Sequence, residues 1–199
     1  MSVATFEVVR YLDDLLRKDE FKDFTHNGLQ VEGAPEISKV GVAVDACMAT
    51  FEDLADCGMI LVHHGLWWPS VDRITAADRR RLAFLLGREI NLYVSHLPLD
   101  RHPQLGNNAV LLRGLGLEPA REFGEVGWVG EFDTPVPRED LLLKVQTLLE
   151  GPVRTLDFGS PEISSLAVCS GSGGVDYMLK ACDLGADAYL TGEASHAIY

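Results

Sequence analysis

Two adjacent histidines, His63-His64, follow the apolar run Met59–Val62 and precede Gly65. A run of that kind reads as a buried strand, and open α/β sheets place their ligands outside the carboxyl ends of the strands. Neighbouring side chains in extended backbone diverge. The pair therefore suits two metal ions a few ångströms apart, one imidazole to each, as in two-metal hydrolytic sites. The alternative is a polar turn whose imidazoles bond to backbone or water. A second group, His96 and Asp100, follows the apolar stretch Asn91–Val94 within Ser95-His96-Leu97-Pro98-Leu99-Asp100. A carboxylate can be terminal or bridging on a pair of cations, and Pro98 stiffens the loop that carries it. Otherwise Asp100 is a turn or cap residue. His102 reads as an outer neighbour of that group or as a surface residue.

Ser170-Gly171-Ser172-Gly173-Gly174 lies between a strand pattern and a helix pattern, where backbone N–H groups can cradle an anion. It lacks the Lys-Ser/Thr ending of a P-loop and the third glycine of the dinucleotide fingerprint, which favours a plain tight turn. No GxSxG is present and no cysteine stands beside a histidine, so there is no nucleophile motif. Trp67-Trp68 suits a pocket wall, a core or an interface.

Strands and helices must hold these residues, and their patterns alternate as in an α/β protein. Phe6, Val9, Leu12 and Leu16 fall at helical spacing, which predicts a helix over 5–17. His26-Asn27-Gly28 is a turn signal before a short strand at 29–31. Val40–Val44 reads as a buried strand, followed by a helix from about Thr50 with Thr50 and Asp53 as a capping box. Thr75 and Asp78 cap another helix with Leu82, Leu85 and Leu86 on its buried side. A helix over 108–113 ends at Gly114 and Gly116. Strands are expected at 128–132 and 153–158, a break at Thr134-Pro135-Val136-Pro137, and a helix over 138–149. A shift in composition puts a lobe boundary near residue 120, giving lobes 1–120 and 121–199. The stretch from Leu166 to Glu193 faintly echoes that from Val40 to His64, as a duplicated βαβ unit would.

The chain has 199 residues, with Lys+Arg 17 against Asp+Glu 30 and a net charge of −13. That acidity disfavours nucleic acid and anionic membranes as partners, although metal ions can reverse the local field for a nucleotide. Hydrophobic residues are 47% and charged residues 24%, ordinary globular values that argue against disorder. No apolar run suits a membrane span, and the first ten residues lack a signal-peptide core. The four cysteines form no CxxC pair, so the expectation is reduced thiols and a cytoplasmic location.

Asn27-Gly28-Leu29-Gln30-Val31-Glu32-Gly33, His63-His64-Gly65, the segment HLPLD at 96–100, HPQLGNNA at 102–109 and Thr191-Gly192-Glu193 occur in one order. In this the chain resembles the dinuclear-metal-centre family known as Nif-three-like proteins or GTP cyclohydrolase I type 2 homologues, from about residue 6 to the last residue. The resemblance implies two related α/β lobes and a ring-like homohexamer with metal sites facing an internal cavity. It implies His63, His64 and Asp100 as ligands of two divalent metal ions (iron, zinc or manganese), with His96 beside them. The family pattern also calls for a His and a Glu on a GH…E segment near the C-terminus. None is present before Tyr199, so the second lobe reads as truncated at that end.

The implied activity is metal-assisted hydrolysis of a small-molecule substrate, GTP or a related purine nucleotide, with His96 or Glu193 moving the proton. The alternative is a non-enzymatic scaffold or regulatory protein whose metals serve binding.

Overall fold

Runs of valine, isoleucine and leucine too short for helices form the central strands of a computed structural model that describes residues 2–68, 73–194 and 196–198. The chain divides into two units, Met1–Leu99 and Asp100–Tyr199. The first runs β1 (Val3–Ala4), α1 (Thr5–Leu16), a 3₁₀ turn (Lys18–Glu20), β2 (Gly28–Val31), β3 (Glu36–Ile37), β4 (Val40–Asp45), α2 (Met48–Asp53), β5 (Met59–His64), α3 (Ala76–Gly87) and β6 (Asn91–Val94). Its four-stranded sheet has the order β2-β6-β5-β4. Strands β4, β5 and β6 are parallel and β2 is antiparallel to β6.

Side-chain alternation along β5 divides the core of this unit between two faces. Ile60 and Val62 pack with Phe51 of α2 and Leu85 of α3. Met59, with Leu61 beside it, packs with Tyr93 and with Leu12, Leu15 and Leu16 of α1. Thr75 caps α3 in a full capping box with Asp78, as the sequence predicts. Leu85 is fully buried on α3, but Leu86 is 56% exposed and does not share its face. Helix α2 starts at Met48 from Cys47, with no side-chain cap. The expected Thr50–Asp53 box is not formed, because both residues already lie inside the helix.

After the short helix α4 (Leu97–Arg101), the second unit runs α5 (Asn107–Gly114), β7 (Arg121–Phe123), β8 (Gly127–Pro137), α6 (Arg138–Leu149), β9 (Glu162–Cys169), α7 (Gly174–Asp183), β10 (Ala188–Thr191) and a 3₁₀ turn (His196–Ile198). Its sheet order is β10-β9-β8-β7, with β10 and β9 parallel and the other pairs antiparallel. Helix α5 packs on β8 and β9, and its Leu112 shares a core with Leu141, Val145 and Leu166. The division therefore falls at Leu99/Asp100 and not near residue 120. The first unit contains two parallel βαβ steps, β4-α2-β5 and β5-α3-β6, and the second unit one, β9-α7-β10; the β4-α2-β5 and β9-α7-β10 steps give the internal echo a structural form.

Two further expectations are corrected here. Strand β8 continues through Thr134-Pro135-Val136-Pro137, and a register irregularity between Glu131 and Val136 accommodates the prolines. No strand forms over 153–158, where no neighbouring strand pairs with the chain and Phe158 is 90% exposed.

Candidate metal centre

His63 and His64 occupy the last two positions of β5, not the turn after it. His96 stands directly after Ser95 at the end of β6, the next strand of the sheet. The three imidazoles converge: each offers one ligand nitrogen, and these nitrogens lie within 4.8 Å of one another. The rings of His63 and His64 are 4.6 Å apart, and those of His63 and His96 4.9 Å. Simple strand alternation predicts that the first pair diverges. It does not, because both rings are drawn by acceptors on either side of β5.

His63 Nδ1 is 3.0 Å from the carbonyl oxygen of Ser95, beyond β6. His64 Nδ1 is 2.7 Å from Asp45 Oδ1, at the end of β4. His96 Nδ1 is 2.9 Å from Asp23 Oδ1. An Nδ1–H that donates to an acceptor fixes the tautomer in which Nε2 carries the lone pair, the form that metal-ligating histidines adopt. The donor set thus fits a divalent ion of the zinc, iron or manganese kind.

Asp23 is a deeply set anchor, with a side chain 1% exposed. Besides His96, it accepts hydrogen bonds from Asn27 Nδ2 and from the N–H groups of Leu97 and Thr25. Burial alone would raise its pKa. The hydrogen bonds from His96, Asn27 and Leu97 outweigh that effect and hold the carboxyl well below the usual range. The Asn27-Gly28-Leu29-Gln30 segment braces the same region. Asn27 Oδ1 accepts the His96 N–H at 2.7 Å, and Gln30 Oε1 accepts the Leu66 N–H at 2.9 Å. Gly65 lies so close to Gln30 that a Cβ there would come within 2.6 Å of its amide. Trp68 walls the cluster, edge-on to His96 at 4.8 Å, while Trp67 packs against the core.

The second unit places the other two predicted site residues. Asp100 is 6% exposed and lies on α4, a short helix where a loop was expected; Pro98 suits the first turn of a helix. Its Oδ1 accepts from Asn107 Nδ2 at 2.7 Å and Ser170 Oγ at 3.2 Å. Asn108, fully buried, bonds the carbonyl oxygen of Val126 and the N–H of Ser170. Glu193 follows β10 with an exposed side chain. Its N–H, like that of Gly192, donates to the Gly171 carbonyl, so the Ser170–Gly174 loop is pinned as a turn. His102 Nδ1 accepts the N–H groups of Gln104 and Leu105 and staples its own turn.

Sequence reasoning missed Asp23, Asp45 and Asn108 as parts of these arrangements. Asn27 and Asn108 stand in motif segments; Asp23 and Asp45 carry no signal beyond their residue type.

Comparison with known proteins gives one answer over nearly the whole chain. A family model described as Duf34/NIF3 (NGG1p interacting factor 3) matches residues 3–199. A Pyrococcus abyssi protein named GTP cyclohydrolase 1 type 2 homolog is 42% identical over 204 residues, covering 97% of this chain and 80% of the relative. An Archaeoglobus fulgidus protein of the same name is 40% identical, over 97% of this chain and 79% of the relative. A solved structure titled protein ybgI, of unknown function, superposes with a TM-score of 0.92 at 34% identity, covering 98% of this chain and 81% of that one.

Proposed function

The chain belongs to the Duf34/NIF3 family, and from that premise we propose that it is a metal-dependent hydrolase. His63, His64 and His96 hold divalent metal in this reading, and a purine nucleotide such as GTP is the substrate class. The observation that carries the proposal is the convergence of three imidazoles whose Nδ1 atoms are each tied to an acceptor. A histidine needed only for packing has no reason to present the same nitrogen in triplicate. The names of the relatives supply the substrate class. Asp100 is the carboxylate that the resemblance adds to the ligands of a two-ion centre.

A divalent ion bound there would lower the pKa of water and polarise the substrate. The chain's own part is to position and to move protons. Ser95 O, Asp45 and Asp23 keep the three rings oriented, so that little reorganisation remains when the site is used. The buried Asp23 side chain holds His96 through Nδ1, and in this reading His96 carries the proton when its Nε2 is not engaged by metal. Glu193 is the second proton carrier to be tested.

The test is metal content and turnover measured on the same preparations. The wild-type protein is expected to retain zinc, iron or manganese through desalting, and His63→Ala and His64→Ala to retain at least tenfold less. Turnover of GTP, followed by chromatography against a panel of nucleotides, should fall in parallel. Equal metal content and equal turnover in wild type and both variants would overturn the proposal. Metal binding lost without any nucleotide turnover in the wild type would leave a metal-binding protein that is not this hydrolase.

A further inference from the structure

Trp67 and Trp68 follow the histidine pair, and their surroundings differ. Trp67 packs against the core of the first unit, whereas Trp68 is 42% exposed and stands against the imidazoles. Its ring lies 4.8 Å from that of His96, at a near right angle, and 5.9 Å from that of His64. The indole Nε1–H donates to the Gly65 carbonyl oxygen at 3.3 Å, which turns the ring back toward the end of β5. The polar atom of the indole is thus satisfied, while much of its apolar surface stays in water beside the three ligand nitrogens. Aromatic walls next to a few converging polar groups are the usual make-up of a small-molecule site. We infer that Trp68 selects the substrate of this site by stacking on its heteroaromatic base.

The inference rests on the nucleotide reading above and gives it a recognition residue. Imidazole nitrogens address cations and protons, and neither grips the apolar face of a base; an indole does. Stacking accepts any base, so the overlapping area decides the preference, and the two rings of a purine cover more of an indole than the one ring of a pyrimidine. Charge adds to the need for such a contact. A chain of net charge −13 repels a free triphosphate at long range, and stacking is a short-range attraction that does not depend on that field. A second ring borders the same place. Asp23 holds His96, and Thr25 Oγ1 donates to the Trp67 carbonyl oxygen at 3.0 Å. Phe24, between those two residues, is 75% exposed, so the segment that carries it is tied both to His96 and to the Trp67-Trp68 stretch.

Calorimetric titration of the zinc-loaded protein tests this without any turnover. Trp68→Ala is expected to weaken GTP binding at least about fivefold, and Trp68→Phe to recover most of the loss. Wild type should bind CTP less tightly than GTP, and Trp68→Ala should narrow that gap. Inorganic triphosphate should bind all three proteins alike. Zinc affinity, from competition with a chelator, should stay within about twofold, because Asp23 and not Trp68 aims His96. A Trp68→Ala protein that binds GTP as wild type does would overturn the inference. So would equal losses of GTP and triphosphate, or a wild type that does not prefer GTP to triphosphate. Zinc lost from Trp68→Ala would also overturn it, since the ring would then serve the metal ligands and not a base. The two proposals fail separately. GTP bound but never converted removes the hydrolase and keeps the role of Trp68, whereas GTP converted with one KM in wild type and Trp68→Ala does the reverse.

Discussion

An imidazole can be aimed only through its other nitrogen, so the acceptors behind the three histidines are as informative as the histidines. Loss of such an acceptor typically costs 10–100-fold in metal affinity. Asp45→Ala and Asp23→Asn are therefore each expected to weaken zinc binding by about 10–100-fold, measured by competition with a chromophoric chelator. The two should differ in stability. Asp45 is 64% exposed, and its removal should leave the urea midpoint almost unmoved, whereas Asp23 is buried and holds four hydrogen-bond donors. Its folded-state pKa is depressed, so the unfolded chain binds the proton more readily. The stability Asp23 contributes is complete well above the unfolded carboxylate value of about 3.9. It drains as the pH falls from there toward the lower folded value. Denaturation measured between pH 6 and 2.5 should show the wild type losing more stability on acidification than Asp23→Asn. Parallel losses would show that Asp23 does not act through its charge.

Element by element, neighbouring residues of one type can have opposite fates, and burial decides which. On α3, Leu85 is fully buried and Leu86 is 56% exposed. Leu85→Ala should cost about 2–5 kcal/mol in chemical denaturation, and Leu86→Ala should stay within about 0.5 kcal/mol. Glycines divide in the same way. A Cβ at Gly33 would stand 2.3 Å from the Glu89 carbonyl oxygen, whereas at Gly87, the last residue of α3, nothing lies within 4 Å. Gly33→Ala should therefore unfold at distinctly lower temperature than wild type. Gly87→Ala should hold or raise the melting temperature, because alanine loses less backbone entropy in a helix. Equal effects would mean that the Gly33 backbone can shift to admit a methyl group. The cap of α3 offers a milder probe, since Thr75 and Asp78 close a full capping box. Thr75→Ala should lower the melting temperature by about 2–4 °C.

Across the molecule, a ligand that binds only the folded chain adds stability by mass action. At a free zinc or manganese concentration 100 times Kd, the gain is about 2.7 kcal/mol. EDTA should thus lower the melting temperature by several degrees, and His63→Ala with His64→Ala should melt alike with and without it. No helix among the described residues is long and apolar enough to cross a membrane. The net charge of −13 predicts no mobility shift of duplex DNA at physiological salt. Much of this protein is written locally. Short apolar runs fix β4, β5 and β6, helical spacing fixes α1 and α6, and Thr75 with Asp78 fixes the start of α3, because each signal is complete within a few residues. The ligand types at 63, 64 and 96, and their place at strand ends, are equally legible in the chain itself. Tertiary structure alone decides that the three rings converge, since the acceptors that turn them are Asp23, Asp45 and Ser95, brought from three separate segments by strand pairing. It also decides that Leu86 faces out, that 153–158 finds no strand to pair with, and that β8 runs on through its prolines. Each of these depends on neighbours far away in sequence, and local patterns carry no information about which distant surface a residue will meet.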